Sequence, residues 1–303
     1  MKGNRIGYIY VLLAAFFFSL IAVIGKTVIN SGINVFDLLI LQNAVTLILI
    51  LGYFAATDIK RLRLDGKGLR TILIQGFIGS AATTILFYLA LQRLNAGIAS
   101  MLLFTHPILV SLYFMVTKTK KISMTNNLAL AAAIMGCIMA INVFNIDVSK
   151  TPVAGLVIGI LSSFAYAFFN IYADLKLSTY DPMVTMFYTT FTTTIVALLL
   201  RPGFFRFEFV MTTGLLFYIC ELAVVSGILP IIFLYKGINM VGADKASIVA
   251  TSELPMTLIM SFFVLGETMD MIQISGIGLI LCSIIILQYE GIVERMLSIT
   301  KGS

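Results

Sequence analysis

The feature that most constrains this chain is a succession of long apolar runs with short connections. About 20 apolar residues cross the hydrocarbon of a bilayer as a helix. By that rule the sequence holds ten spans: 7–25, 35–56, 69–91, 96–117, 126–145, 152–175, 182–200, 211–236, 242–265 and 271–289. Inside hydrocarbon each backbone group needs a partner within the segment, so every run reads as helix. Composition agrees. The 303 residues are 60% hydrophobic and 11% charged, where a soluble domain is about 45–50% apolar and about 25% charged. A large soluble core is excluded, and no connection is long enough for a soluble domain. Trp is absent, so Tyr and Phe must supply the interfacial belts. Cys137, Cys220 and Cys282 fall inside apolar runs, lack metal-ligand spacing and read as small apolar fillers. The first run ends in "VIGKTVINSG", which has no small-residue cleavage site, and reads as a true span.

Ten spans put both termini on one side. If that side is cytoplasmic, fifteen basic residues lie inside and five outside, the five being Lys26, Arg93, Lys150, Arg201 and Arg206. The positive-inside rule then predicts a multi-pass protein of the cell (inner) membrane with both termini cytoplasmic. The formal charge of +6 is accounted for by these loops and calls for no nucleic-acid partner.

Two stretches resemble each other: "LFYLALQRLNAGIASMLLFTHPILVSLYFMVTKTK" (86–120) and "FLYKGINMVGADKASIVATSELPMTLIMSFFVLGETM" (233–269). Tyr88 aligns with Tyr235 and Ala99-Ser100 with Ala246-Ser247 at a shift of 147, and Pro107 with Pro255 at 148. Five spans separate the copies. Five is odd, so the halves are expected in opposite orientation, as 1–148 (spans 1–5) and 149–303 (spans 6–10). The fold class predicted is therefore an all-α membrane protein, ten transmembrane helices in two inverted five-helix repeats. Inverted halves with broken helices are the arrangement expected of secondary transporters. Pro107, Pro230 and Pro255 are the expected helix breaks.

The Ala-Ser opening of span 9, its mid-span Pro and the exit "FFVLGE" (262–267) resemble the drug/metabolite transporter superfamily, in particular its EamA-type members. Leu254 between Glu253 and Pro255, and Lys118-Thr119 where a first-copy Gly-Glu would fall, depart from that pattern. The resemblance implies a cavity lined mainly by spans 1, 3, 4, 6, 8 and 9, alternating access, and export in preference to import. It names no substrate.

Three ionisable groups lie deep in spans: His106, Glu221 and Glu253. Such groups by default face the bundle interior or a wet cavity. Proline frees backbone carbonyls, so Pro107 and Pro255 offer polar niches beside His106 and Glu253. The bland alternatives are a satisfied histidine and structurally tied acids. In span 6, Tyr166, Asn170 and Asp174 recur every fourth residue and share a face, with Asp174 near enough to the surface to be solvated. In span 3, Gly76, Ser80, Thr84, Tyr88 and Gln92 form a small and polar stripe, which close packing would also explain. The span-7 threonines, "YTTFTTT", read as bonded to their own helix.

The residues expected to bind substrate are Tyr88, His106, Tyr166, Asn170, Tyr235 and Glu253, with Glu253 and Glu221 as proton-coupling candidates. Two deep acids without a deep base favour a cation or an amino group held by Glu and aromatic faces. The expected function is secondary active export of a small amine-bearing metabolite, an amino acid or organic cation, by proton-coupled alternating access. Import of a choline-like cation, a lipid-linked flippase and an accessory membrane subunit are the alternatives. No nucleotide loop, zinc pattern or nucleophile elbow suggests an enzyme, a metal or another cofactor. The expected partners are a small-molecule substrate, the lipid bilayer and protons; the sequence fixes no oligomeric state.

Overall fold

The structure, a computed structural model, describes residues 2–30, 32–94, 96–120, 123–140, 152–204, 212–265 and 269–288. These residues form ten helical spans and no strand. Spans 1 and 2 are Lys2–Asn30 and Val35–Ala56. Span 3 runs Gly66–Arg93, span 5 Met124–Ala140, span 6 Val153–Lys176 and span 7 Pro182–Leu200. Span 10 is Met271–Gln288. Spans 4 and 9 are broken, into Ala96–Leu103 with His106–Thr117 and Ala243–Ala250 with Glu253–Leu265. Span 8 comprises Thr213–Ala223, Val224–Ile228 and Leu229–Val241.

Local chemistry sets the ends. Asn34 accepts from Phe36 N at 2.9 Å, Asp65 from Gly68 N at 2.9 Å, Asp181 from Met183 N at 2.8 Å and Thr212 from Leu215 N at 3.2 Å. Each satisfies an N-terminal donor that the helix leaves open. The outer faces carry exposed Ile48, Val116, Phe164, Leu199 and Phe217, more apolar surface than water tolerates on a soluble protein. Among the described residues five helices are long and apolar enough to cross a membrane, and spans 1, 5, 8 and 10 hold shorter apolar helices.

The packing is two-fold in pattern. Span 1 packs along span 8 as span 6 packs along span 3, span 1 also touches span 9 as span 6 touches span 4, and spans 5 and 10 pair with each other. The span 5–10 contact is close because glycines face it. A Cβ on Gly136 would meet Gly276 O at 2.8 Å.

The predicted helix breaks are present, with an addition. Span 3 carries a wide π turn at Gln75–Ala81, and span 8 one at Val224–Ile228. In span 8 the cause is Pro230, which has no N–H for the carbonyl four residues back. Span 3 has no proline at its turn. At the span-4 break Phe104 N still reaches Ser100 O, but Thr105 N turns to Leu102 O at 3.3 Å. At the span-9 break Thr251 N goes to Ile248 O and Ser252 N to Val249 O, at 3.2 and 3.0 Å. Both are short-range bonds that tighten the helix before its proline.

One cysteine expectation is corrected. Cys137 is packed inside, whereas Cys220 and Cys282 are exposed on outward faces and fill nothing.

Candidate functional site

At mid-depth, six spans enclose a cavity of about 110 Å³. Span 1 contributes Phe18 and Ile21, span 3 Ser80, Thr83, Thr84, Phe87 and Tyr88, and span 4 Leu103. Span 6 contributes Tyr166 and Phe169, span 8 Ile231 and Leu234, and span 9 Glu253. These are the six spans that the family resemblance implies. Glu253 is the ionisable acid of the wall, set against apolar and aromatic surface. It is the first residue after the span-9 break, and Thr257 Oγ1 donates to its carbonyl at 2.9 Å.

Around this wall sits a layer of residues that the sequence reading assigned to the cavity but that lie just behind it. His106 is fully buried under Tyr166, ring centroids 4.4 Å apart. Its Nδ1 meets Leu103 O at 3.0 Å, and its Nε2 has no partner among the described residues. Asn170 is fully buried and donates to Tyr166 O at 2.8 Å. Its spacing from Tyr166 turns it back onto its own helix. Tyr235 stacks on Phe169 at 5.2 Å, and Gln75 Nε2 donates to Phe169 O at 3.1 Å and to the Tyr235 hydroxyl at 3.4 Å. His106, Asn170 and Tyr235 therefore support the wall and floor, while Tyr88, Tyr166 and Glu253 line the cavity. Glu221 is not on this wall.

The span-3 stripe divides. Ser80, Thr84 and Tyr88 face the cavity, but Gly76 packs against Thr192, where a Cβ would lie 2.7 Å from Oγ1, and Gln92 is exposed. Next to the cavity a second chamber of about 90 Å³ shares Ser80, Thr84 and Tyr88 and adds Gln42, Asn43 and Thr46 of span 2 with Thr190 and Thr193 of span 7. Spans 2 and 7 were not expected to contribute. The threonines do bond to their own helix, Thr192 to Tyr188 O at 2.7 Å and Thr193 to Thr189 O at 2.9 Å. Two of them also line the chamber. The signal for span 2 was visible as "LQNAVT", polar residues in mid-run.

The end of the bundle where span 1 begins is closed by charges. Lys120 pairs with Asp174 and lies 3.6 Å from Asp244 Oδ1, with its ammonium 4.9 Å from the Phe114 ring centroid. Asn126 Nδ2 donates to Asp244 Oδ2 at 2.7 Å, and Ala243 N to Asp174 Oδ2 at 2.9 Å. These bonds join the 4–5 connection, span 5, span 6 and the start of span 9. Asp174, which the stripe left as cavity wall or solvated surface, is paired, because the span 8–9 turn delivers both a backbone donor and Asp244 beside it. Among the described residues no group of His, Cys, Asp and Glu could hold a metal ion. Lys26, Gly266 and Glu267 fall outside the described side chains.

Comparison with known proteins bears on this arrangement. The chain is 23% identical over 226 residues to the "Uncharacterized inner membrane transporter YicL" of Salmonella typhimurium, covering 74% of each chain. It is 25% identical over 218 residues to the "Uncharacterized transporter sll1319" of Synechocystis, covering 68% of this chain and 63% of that one. A solved structure described only as "Crystal structure of protein" superposes with a TM-score of 0.77 at 11% identity, over 98% of both chains, which shows a shared fold. The sequence profile of one family matches twice, over residues 5–142 and 153–289. With ten spans around a mid-depth cavity, this multi-pass membrane protein is a transporter that belongs to the EamA-like transporter family.

Proposed function

We propose that this transporter is a secondary active exporter of a small amine-bearing metabolite, driven by exchange for protons. The observation that carries the reading is Glu253, a carboxyl group on a wall otherwise made of aromatic, aliphatic and hydroxyl side chains. A carboxylate facing Tyr166 and Phe169 suits an ammonium group, which gains both an ion pair and the faces of the rings. The same carboxyl group can hold a proton in place of the cation. One site that takes either but not both is the simplest antiporter, provided it faces the two sides in turn. Export is the direction the family resemblance favours.

The proposed halves are 1–148 and 149–303, with both termini cytoplasmic in the cell membrane. The fifteen-to-five division of basic residues supports that orientation. Tags at both termini should be accessible only from the cytoplasm. In that orientation the Lys120 group seals the cytoplasmic end.

The test of the proposal is transport in liposomes carrying purified protein. A proton gradient should concentrate a labelled alkylamine, and Glu253→Gln, which mimics the protonated acid, should abolish that accumulation. Accumulation that survives Glu253→Gln would remove Glu253 as the coupling site and leave Glu221 to be tested.

A further inference from the structure

The second chamber carries chemistry that the Glu253 cavity does not. Asn43 is nine-tenths buried, and its Nδ2 has no hydrogen-bond partner among the described residues. The buried Oε1 of Gln42 likewise has none. Both residues face the chamber. Buried amide groups in native structures are nearly always satisfied, so an unpaired donor beside an unpaired acceptor calls for an explanation. Turning both side-chain amides over exchanges the two roles and leaves the pair offering one donor and one acceptor.

The rest of the chamber restricts what could complete this pair. Thr46 Oγ1 donates to Gln42 O at 2.9 Å and Thr193 Oγ1 to Thr189 O at 2.9 Å, so those hydroxyls present acceptor oxygens. No basic side chain lines either chamber. A carboxylate entering here would meet no cation to form an ion pair, so its desolvation would be poorly compensated. A neutral amide or hydroxyl both donates and accepts, and fits.

We infer that the cargo places its cationic group at Glu253 and an uncharged hydrogen-bonding group, an amide or hydroxyl, between Asn43 and Gln42, with no free carboxylate at that end. This inference rests on the amine reading of the Glu253 cavity and narrows it, toward organic cations with a neutral polar tail and away from zwitterionic amino acids. The two chambers meet at Ser80, Thr84 and Tyr88, so one elongated molecule can occupy both.

The experiment is calorimetric binding of a matched series of short linear amines to the purified full-length protein. The far end of the probe is an amide, a hydroxyl, a carboxylate or a methyl group. The amide and hydroxyl probes should bind, and the carboxylate probe should bind at least about tenfold more weakly. Asn43→Leu should bring the ratio of amide to methyl affinity close to one, and Gln42→Met, a milder change in the same chamber, should lower it too. If the carboxylate probe binds as tightly as the amide and still depends on Glu253, this inference fails while the amine reading stands. An amide preference unchanged in both variants also overturns it. If no probe binds the unaltered protein, both readings fail together.

Discussion

The two broken helices share a design and differ in what they deliver. In span 4 the first residue after the break is His106, and in span 9 it is Glu253, at the same shift of 147 residues that relates Tyr88 to Tyr235. His106 turns inward, bonded to Leu103 O and capped by Tyr166, while Glu253 faces the cavity. The turns that lead into the two helices differ as well. Before span 4, Arg93 folds back onto Leu89 O of its own helix at 3.3 Å. Before span 9, Asp244 and Ala243 are tied to Asn126, Lys120 and Asp174 of other spans. A near-symmetric scaffold thus carries asymmetric chemistry: one half presents the acid and has its entry turn bound to spans 5 and 6 and the 4–5 connection. The two breaks sit at matching places in their spans, and the side chains that follow them are unequal.

The largest expected effect separates the two breaks. Glu253→Gln should weaken binding of an alkylamine by about 30-fold or more, since losing one partner of a desolvated charge pair costs about 2–5 kcal/mol. His106→Gln should weaken it by less than about tenfold, because His106 acts through the Tyr166 ring and a single hydrogen bond. Adding His106→Glu to Glu253→Gln should not restore binding, since position 106 lies behind the wall. Equal losses in the two single variants, measured by calorimetry, would erase the distinction.

A smaller effect concerns the bound turn. Lys120→Ala leaves Asp174 and Asp244 facing each other without a cation, and should favour opening at that end. With the native cysteines replaced by Ser, Ser247→Cys reports the opening through its reaction rate with a membrane-impermeant thiol reagent. Ser247 is fully buried and lies on span 9 between Asp244 of the Lys120 group and Glu253 of the cavity. Lys120→Ala should raise that rate about fivefold, the population change that ~1 kcal/mol produces. An unchanged rate would mean that the ion pairs do not hold the closed state.

How much of this asymmetry the sequence discloses depends on the range of the interaction. The ten spans, the prolines and the paired breaks follow from hydropathy and local backbone chemistry, and were legible. The repeat also pointed to the depth of Tyr88 and Glu253, and the span-6 stripe to Tyr166. Tyr235, chosen from the repeat, and Asn170, chosen from the stripe, lie behind the wall because neither pattern says which neighbour covers a side chain. Phe169 covers Tyr235, and Asn170 spends its amide on Tyr166 O. The Lys120 group joins residues far apart in the chain, and no spacing rule could have found it. Asn43 and Gln42 stand in an apolar run, and a polar amide in hydrocarbon asks the same question as a charge.

Next in size is the backbone at the bound turn. Gly242 has φ +87°, in the region that favours glycine, and a Cβ there would lie 2.7 Å from Lys120 Nζ and 2.8 Å from Asp244 Oδ1. Gly242→Ala therefore meets backbone strain and displaces the latch together. It should destabilise by about 1 kcal/mol or somewhat more, a fall of about 2–4 °C in Tm by scanning fluorimetry. A Tm equal to that of the unaltered protein would show that the turn relaxes at no cost, and would weaken the claim that its geometry is pinned.

The smallest effect is expected at an ion pair that looks similar but lies outside the closure. Arg61, in the connection between spans 2 and 3, pairs with Asp181 at the start of span 7, and both side chains are well exposed, at 45% and 30%. Water and salt screen such a pair, and holding two long side chains together opposes the attraction. Asp181 also has a second role that does not need Arg61, since its Oδ1 accepts from Met183 N at 2.8 Å and caps span 7. Arg61→Ala leaves that cap in place, and Tyr188 still donates to Leu62 O at 2.7 Å, which keeps the connection on span 7. Tm and Ser247→Cys labelling should both stay within measurement error, in contrast to Lys120→Ala, where Asp244 is only 9% exposed and Asp174 14%. Asp181→Ala, which removes the cap, should lower Tm where Arg61→Ala does not. If Arg61→Ala instead speeds labelling as Lys120→Ala does, the span 2–3 connection is part of the closure, and the two ends of the bundle differ in more than the turn before span 9.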